Sequence, residues 1–469
     1  MLMDAHTWAH EQFFGVKLPD LRLRRRLVEV AARIRAHPCG TLPRAMRGKA
    51  ALKGAYRLLA HPKATHAGLI EPHLDRTRAR CRNAGEYLMI EDTTDLSFSQ
   101  RGGVAGMGPL TGETSQGFLV HTCLAVRVER WGAEGVPEVS VPGVFSQESW
   151  ARQRPEGSRE QRKREKRRRK ADGTGTPESD RWGRAFCTAP DPPGDALWTL
   201  VADREADIFG LMVRCRARGR HFIVRAAQAR KTGEGRQNVF EAASGAPLLG
   251  SFSLPLRARP GAPARTATLE VRAVETVIQP PLENPSGHAP QGAGLVEVRE
   301  VGAPEGASPV HWLLLSSWPC GDFARALRVV RAYACRWLIE EYHKALKTGT
   351  RIEESQLSTL HRIEALLAIH AVVAAELLRL KLLCRTRPDD SAPGDLLPPG
   401  ALAVLEMRFG PPVGGWTNNT LLRAVAQLGG YLNRNNDGPP GWLSLWRGWL
   451  SLSMLAEGYM LGRQQQTYG

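Results

Sequence analysis

The chain is 469 residues long, and 64 Lys and Arg against 47 Asp and Glu leave a formal charge of +17. At ~150 residues per domain this length predicts roughly three domains, and 42% hydrophobic content is enough for ordinary cores, which excludes wholesale disorder. So positive a balance points to a polyanionic partner, and to nucleic acid ahead of an anionic membrane surface.

In chain order, the N-terminus has Asp4 and His6 early and no apolar run, so it reads as lacking a secretory signal. Asp20 is placed to cap a helix from Leu21 to Ala36, which stops before Pro38. A second helix runs from about Gly48 to Ala60 and ends ahead of Pro62. The basic face of this helical unit is either solvated or DNA-contacting. From Glu86 the pattern changes. Tyr87–Ile90 reads as a buried strand ending at Glu91–Asp92, with further strands at Phe118–Val128 and around Gly143–Phe145. Residues 159–170 hold nine Lys or Arg and two Glu, and read as a surface loop that either touches nucleic acid or is a solvated insertion.

Leu197–Ala202 is a short apolar strand running into Asp203. Ala206–Ala217 has helical spacing and His221–Arg225 is strand-like, an alternation that predicts an α/β sheet. Residues 229–310, rich in Pro and Gly, break the alternation and read as a β insertion. A strand at Trp312–Leu315 precedes one long helix from about Phe323 to Lys347, and another spans about Leu360 to Leu383. The longest apolar stretch, Ala365–Ala375, contains His370 and is followed at once by Glu376, Arg379 and Lys381, so it reads as a buried helix rather than a membrane span. The C-terminal end is helical. Its Trp442, Trp446 and Trp449 form a stripe that reads as core or as a helix or subunit contact. The eight cysteines are scattered singly with no C-x-x-C pair, as expected in a reducing cytoplasm.

Three pieces carry chemistry: Ile90-Glu91-Asp92-Thr93-Thr94, Asp203-Arg204-Glu205-Ala206-Asp207, and the helix from Tyr333 to Lys347. On a straight helix Tyr333, Arg336, Glu340, Lys344 and Lys347 fall within an arc of about 80°. Alone, such an arc is a solvated face laced by a Glu340–Lys344 pair. Added to acids at strand ends, it becomes a set of carboxylates able to converge on a hard divalent cation, with cations beside them for a phosphodiester. Singly, Trp312 reads as core, Arg225 as a strand-end cation, and His343 as a capping or packing residue. Glu91 and Asp207 read as supporting or solvated neighbours of the acids.

Together these residues resemble the DDE transposases of bacterial insertion sequences. The run Tyr333, Arg336, Glu340, Lys347 is similar to the signature of the insertion-sequence-four branch, and the phrases around Asp92, Asp203 and Glu340 to its Tn-five type. Gly54-Ala55-Tyr56-Arg57 and the Leu443-to-Trp449 segment extend the resemblance over nearly the whole chain. It implies an α/β fold with an RNase-H-like mixed sheet core, an inserted β subdomain, and helical N- and C-terminal domains. The implied division is a DNA-binding unit at 1–70, a catalytic unit at 71–386 with its insertion at about 229–310, and a dimerisation unit at 387–469. The implied activity is cut-and-paste transposition: nicking at the transposon end, a hairpin, then 3′-OH attack on target DNA. Asp92, Asp203 and Glu340 would bind Mg²⁺, or Mn²⁺ in its place. Tyr333, Arg336 and Lys347 would hold phosphates with Lys344 beside them, Trp312 would stack on a flipped base, and Arg225 would contact a phosphate. The implied partners are double-stranded DNA, as transposon ends and target, and a second copy in a homodimer, with no membrane; the implied location is the bacterial cytoplasm, at the nucleoid. The basic run at 159–170 lies outside that pattern. An endonuclease or integrase of the same fold, or an inactive transposase-derived DNA-binding protein, are the other expectations.

Overall fold

The first helix predicted from sequence forms where its cap is. In the computed structural model Asp20 Oδ1 accepts a hydrogen bond from the Arg22 amide at 2.7 Å, satisfying one of the unpaired amides that start a helix. The structure describes all residues except 1–4, 39, 99–102, 112–114, 154–159, 161–163, 165–177, 234–236, 257–263, 284–285, 393–396, 398, 435–436 and 467–469. The run at 159–170 therefore lies, apart from Glu160 and Arg164, outside the described residues. The N-terminal unit comprises α1 (Ala5–Phe13), α2 (Leu21–Ala36), α3 (Leu42–Met46), α4 (Lys49–Leu59) and α5 (His66–Arg80). α1 and α5 escaped sequence reading: α1 has a weak apolar stripe and α5 carries Pro72 inside it.

Ten strands follow: β1 (Gly85–Ser97), β2 (Gly108–Pro109), β3 (Gln116–Trp131), β4 (Pro137–Trp150), β5 (Ala196–Ala202), β6 (His221–Arg225), β7 (Leu248–Leu256), β8 (Arg265–Ile278), β9 (Gln291–Val301) and β10 (His311–Ser316). They form one sheet in the order β2-β3-β1-β5-β6-β10-β9-β8-β7, with β4 pairing on β3. β1 runs antiparallel to β3 and parallel to β5, which is parallel to β6. The path β4-β3-β1-β5-β6 is an RNase-H-like mixed core. The inserted strands β7–β9 continue this same sheet through the antiparallel pair β9/β10.

Period-2 alternation divides the core between the two faces. Leu88, Ile90, Val201, Ile223 and Leu314 belong to one apolar cluster, and Tyr87, Met89, Leu200, Ala202, Phe222 and Leu315 to the other. The second face is covered by α6 (Arg184–Thr188) and α7 (Phe209–Ala217), and α8 (Val239–Ser244) packs beside the insertion. The expected helix at Ala206–Ala217 begins only at Phe209, because Arg204–Ala206 forms a tight turn capped by Asp203. The first face is covered by α9 (Phe323–Ala334), α10 (Trp337–Lys344) and α11 (Leu360–Thr386). The single helix expected over Phe323–Lys347 is broken. α9 ends at Cys335, α10 restarts from Arg336, and Ala345–Gly349 widens into a π turn.

The C-terminal helices are α12 (Ala401–Phe409), α13 (Asn418–Leu428) and α14 (Trp442–Gln466). α13 and α14 cross with no room for side chains: a Cβ on Gly448 meets the Val425 carbonyl oxygen at 1.7 Å, and one on Gly429 meets the Ser444 carbonyl oxygen at 1.9 Å. Backbone cannot yield as a side chain does. Gly448→Ala is therefore expected to force these helices apart at a cost of about 3 kcal/mol or more, seen as an early C-terminal transition in thermal melts; an unchanged melt would contradict this crossing. Among the described residues no helix is long and apolar enough to cross a membrane, and seven cysteines are free thiols.

Candidate active site

Strand parity decides where the acids point. β1 and β5 are parallel with Glu91 opposite Ala202, so Asp92 and Asp203 come next on each strand, side by side. Asp92 shares the parity of Leu88 and Ile90, and Asp203 that of Val201. Both thus face the side covered by α9 and α10. Asp92 was expected at the end of its strand. Instead β1 continues to Ser97, and Asp92 pairs with Thr122 on β3. What ends beside Asp92 is the parallel ladder to β5, and this opens the carboxyl edge of the sheet.

Glu340, on α10, is linked to Asp203 through Arg336. Arg336, in the break between α9 and α10, donates to Glu340 Oε1 at 2.5 Å and lies 4.0 Å from Asp203 Oδ2. The Tyr333 hydroxyl donates to Asp203 Oδ1 at 3.3 Å. Burial pushes the Asp92 carboxyl up to about 6, with the charges of Glu340 and Asp203 adding to the rise and the Thr93 amide and Arg336 opposing it. Burial, then Asp203, pushes the Tyr333 phenol up to about 12. Arg336 thus bridges Glu340 and Asp203, and its charge is also felt at Asp92. The Asp203 and Glu340 side chains remain about a third exposed, at 34% and 35%. Among the described residues, no group of three or more His, Cys, Asp or Glu stands close enough to close a metal shell. All three candidates nonetheless offer carboxylate oxygen, the donor that Mg²⁺ and Mn²⁺ take.

The cations divide. Lys347 turns to β1 and pairs with Asp95 at 3.1 Å, because the π turn rotates it off the straight-helix arc. Lys344 is exposed at the end of α10. Arg225 ends β6 and donates to the His311 carbonyl at 2.9 Å, across the start of β10. Trp312, half-buried on β10, sets its ring edge-to-face on Tyr333 with centroids 5.4 Å apart. The structure therefore sets Asp92 beside Asp203 on neighbouring strands, links Asp203 to Tyr333, Arg336 and through Arg336 to Glu340, places Trp312 and Arg225 along one flank, and pairs Lys347 with Asp95 on β1.

Three supporting residues are better defined than the sequence allowed. Glu91 has the opposite parity to Asp92, and its buried carboxylate accepts from the Gly183 amide at 2.6 Å on the far face. Asp207 is buried and accepts from the amides of Ala227 and Gln228, each at 2.7 Å, and from Arg230, so it clamps the loop that follows Arg225. The sequence makes His343 a capping or packing residue. It is buried with Nδ1 3.8 Å from Asp92 Oδ2, and burial lowers it to about 3, so it stands neutral beside the acid. Its spacing of three residues from Glu340 was the available signal.

Residues 5–64 match the family model for transposase DNA-binding, and residues 197–375 match the model for the transposase DDE domain. The second match spans Asp203, Arg225, Trp312, Tyr333, Arg336 and Glu340 and begins after Asp92, whose place in the site rests on the β1/β5 register. In this order the two matches support a DNA transposase with a nucleotidyl-transferring DDE domain.

Proposed function

We propose that this chain cuts DNA at the ends of a mobile element and joins the freed 3′-hydroxyl to target DNA, as a member of the insertion-sequence-four branch similar to its Tn-five type. The observation that carries this reading is the parallel register that sets Asp92 beside Asp203, with Glu340 reached through Arg336. Asp92, Asp203 and Glu340 would hold Mg²⁺ or Mn²⁺. When bound, the metal activates the attacking oxygen and stabilises the leaving one. The residues of the chain do the rest. Asp92 must give up its proton before it serves as a ligand, and neutral His343 beside it adds no competing charge. Arg336 exchanges its carboxylate partners for a phosphate of the scissile strand, to which its planar fork is matched. Tyr333 and Lys344 fix that strand, Lys347 reaches it after leaving Asp95, and Arg225 holds a neighbouring phosphate.

In this reading the basic helices within 1–70 recognise the ends, 71–386 carries the chemistry, and 387–469 joins two copies around paired ends. Leu443, Met454 and Leu461 are exposed on α14, fall on one side of that helix, and form the apolar surface proposed for the second copy. The cell compartment proposed is the bacterial cytoplasm, at the nucleoid.

The test is cleavage of a duplex carrying the inverted repeats that flank the coding region. The expected products with Mg²⁺ are a 3′-hydroxyl nick, then a hairpin. Hydrolysis of both strands with no hairpin would favour an endonuclease instead. Trp312→Ala is expected to slow hairpin formation about tenfold or more relative to the first nick, because base stacking offsets the few kcal/mol spent on unstacking the flipped base. Equal slowing of both steps in a gel time course would reject the stacking role.

A further inference from the structure

We propose that Glu341, rather than serving only as packing, is a positioning residue through which the C-terminal helix α14 sets the aim of Glu340; the role rests on Glu340 being an acid of the active site. Successive residues of a helix lie about 100° apart, so whatever grips Glu341 fixes the roll of α10 and the direction in which Glu340 points. The grip is extensive. Glu341 is 4% exposed and accepts from Trp442 Nε1 at 2.6 Å, from Trp337 Nε1 at 3.3 Å, and from Lys381 Nζ on α11. The Lys381 ammonium also sits 4.0 Å from the centre of the Trp442 ring. One buried carboxylate thus joins α10, α11 and α14, in a setting where charged partners hold each other strongly.

A second hold acts just beyond α10. Trp442 stacks on Trp446 with centroids 4.8 Å apart. The Trp446 ring lies so close to Gly349 that a Cβ there would meet it at 2.4 Å. Gly349 closes the π turn that follows α10. α14 therefore touches the segment carrying Glu340 at both Glu341 and Gly349.

The experiment uses the full chain. Trp442→Phe keeps the ring and removes the N–H. The pair Glu341→Gln with Lys381→Met removes both buried charges together and so avoids an orphaned ion. Mn²⁺ binding followed by electron paramagnetic resonance, cleavage at saturating Mn²⁺ and affinity for transposon ends are measured for each, with Glu340→Ala alongside. Expected is about a tenfold loss of Mn²⁺ affinity and of single-turnover cleavage rate in Trp442→Phe, at least as much in the pair, and end binding within twofold of the parent. A merely structural role would weaken all three measurements together, and that outcome overturns the proposal. Parental Mn²⁺ binding and cleavage in Trp442→Phe and the pair, while Glu340→Ala loses both, also overturns it and leaves the active site standing. Glu340→Ala that binds Mn²⁺ and cuts like the parent removes the active-site reading and this role with it.

Discussion

Asp92→Asn is expected to abolish strand cleavage and to raise the melting temperature at the same time. The amide keeps the shape of the carboxyl and removes the negative charge needed for a hard cation. Loss of cutting should reach about 10³-fold or more, ~4 kcal/mol at 1.36 kcal/mol per tenfold. Stability moves the other way. A carboxyl whose native value lies at about 6, above its unfolded value of about 4, costs nothing in acid. Its penalty grows as pH rises from the lower value to the higher and is complete at neutral pH, reaching at most about 3 kcal/mol. Asparagine removes the penalty, so stability should rise where cleavage is lost. Asp203→Asn and Glu340→Gln should lose cleavage equally while transposon ends stay bound, since recognition is assigned to the N-terminal helices. Cleavage assays and melts on the same preparations check both halves; a variant that cuts with Mg²⁺ at the parental rate would refute the triad.

The second large effect is acid lability centred on buried histidines. His73 donates from Nδ1 to Gln12 Oε1 at 2.7 Å, while its Nε2 accepts from the Val144 amide at 3.1 Å, an arrangement only the neutral ring can make. His66 is paired with Gln147 at 3.0 Å, and His370 lies inside α11. Burial lowers His66 to about 4 and His73 and His370 to about 3. Because these native values lie below the unfolded value near 6.5, the contribution is fully present above that pH. It is lost as pH falls toward the native values. At pH 5 each ring costs about 2 kcal/mol, roughly 6 in all, against about 1 regained at Asp92. That is comparable to the whole stability of many domains, ~5–15 kcal/mol. His66 and His73 tie α5 to β4 and α1, so the N-terminal helices should loosen first. Urea melts at pH 7.5 and pH 5 measure this, and coincident curves would exclude it.

Much of this molecule was legible in one dimension because the relevant forces are local. Asp20 and the stop before Pro38 bound α2, since capping and proline sterics act over a few residues. The apolar runs at Tyr87–Ile90, Leu197–Ala202 and His221–Arg225 became neighbouring strands of the sheet, since continuous hydrophobicity is what a strand covered on both faces requires. The break at Cys335–Arg336 was not legible. Its residues have ordinary helical propensity, and nothing in their spacing marks where α9 must stop. The break places Arg336 between Asp203 and Glu340, and the π turn after Lys344 carries Lys347 to Asp95.

By itself, then, the order of residues determined the basic character of the chain, its main helices and strands, and the chemical types able to serve at a phosphodiester: three acids, a phenol and several cations. Which of them meet was decided only by the tertiary structure. The β1/β5 register aligns Asp92 with Asp203, strand parity turns Glu91 away from them, and α14 grips Glu341 from 101 positions along the chain. Propensity and capping are summed over neighbours in sequence, whereas register and helix docking follow from burying surfaces whose partners are distant in the chain.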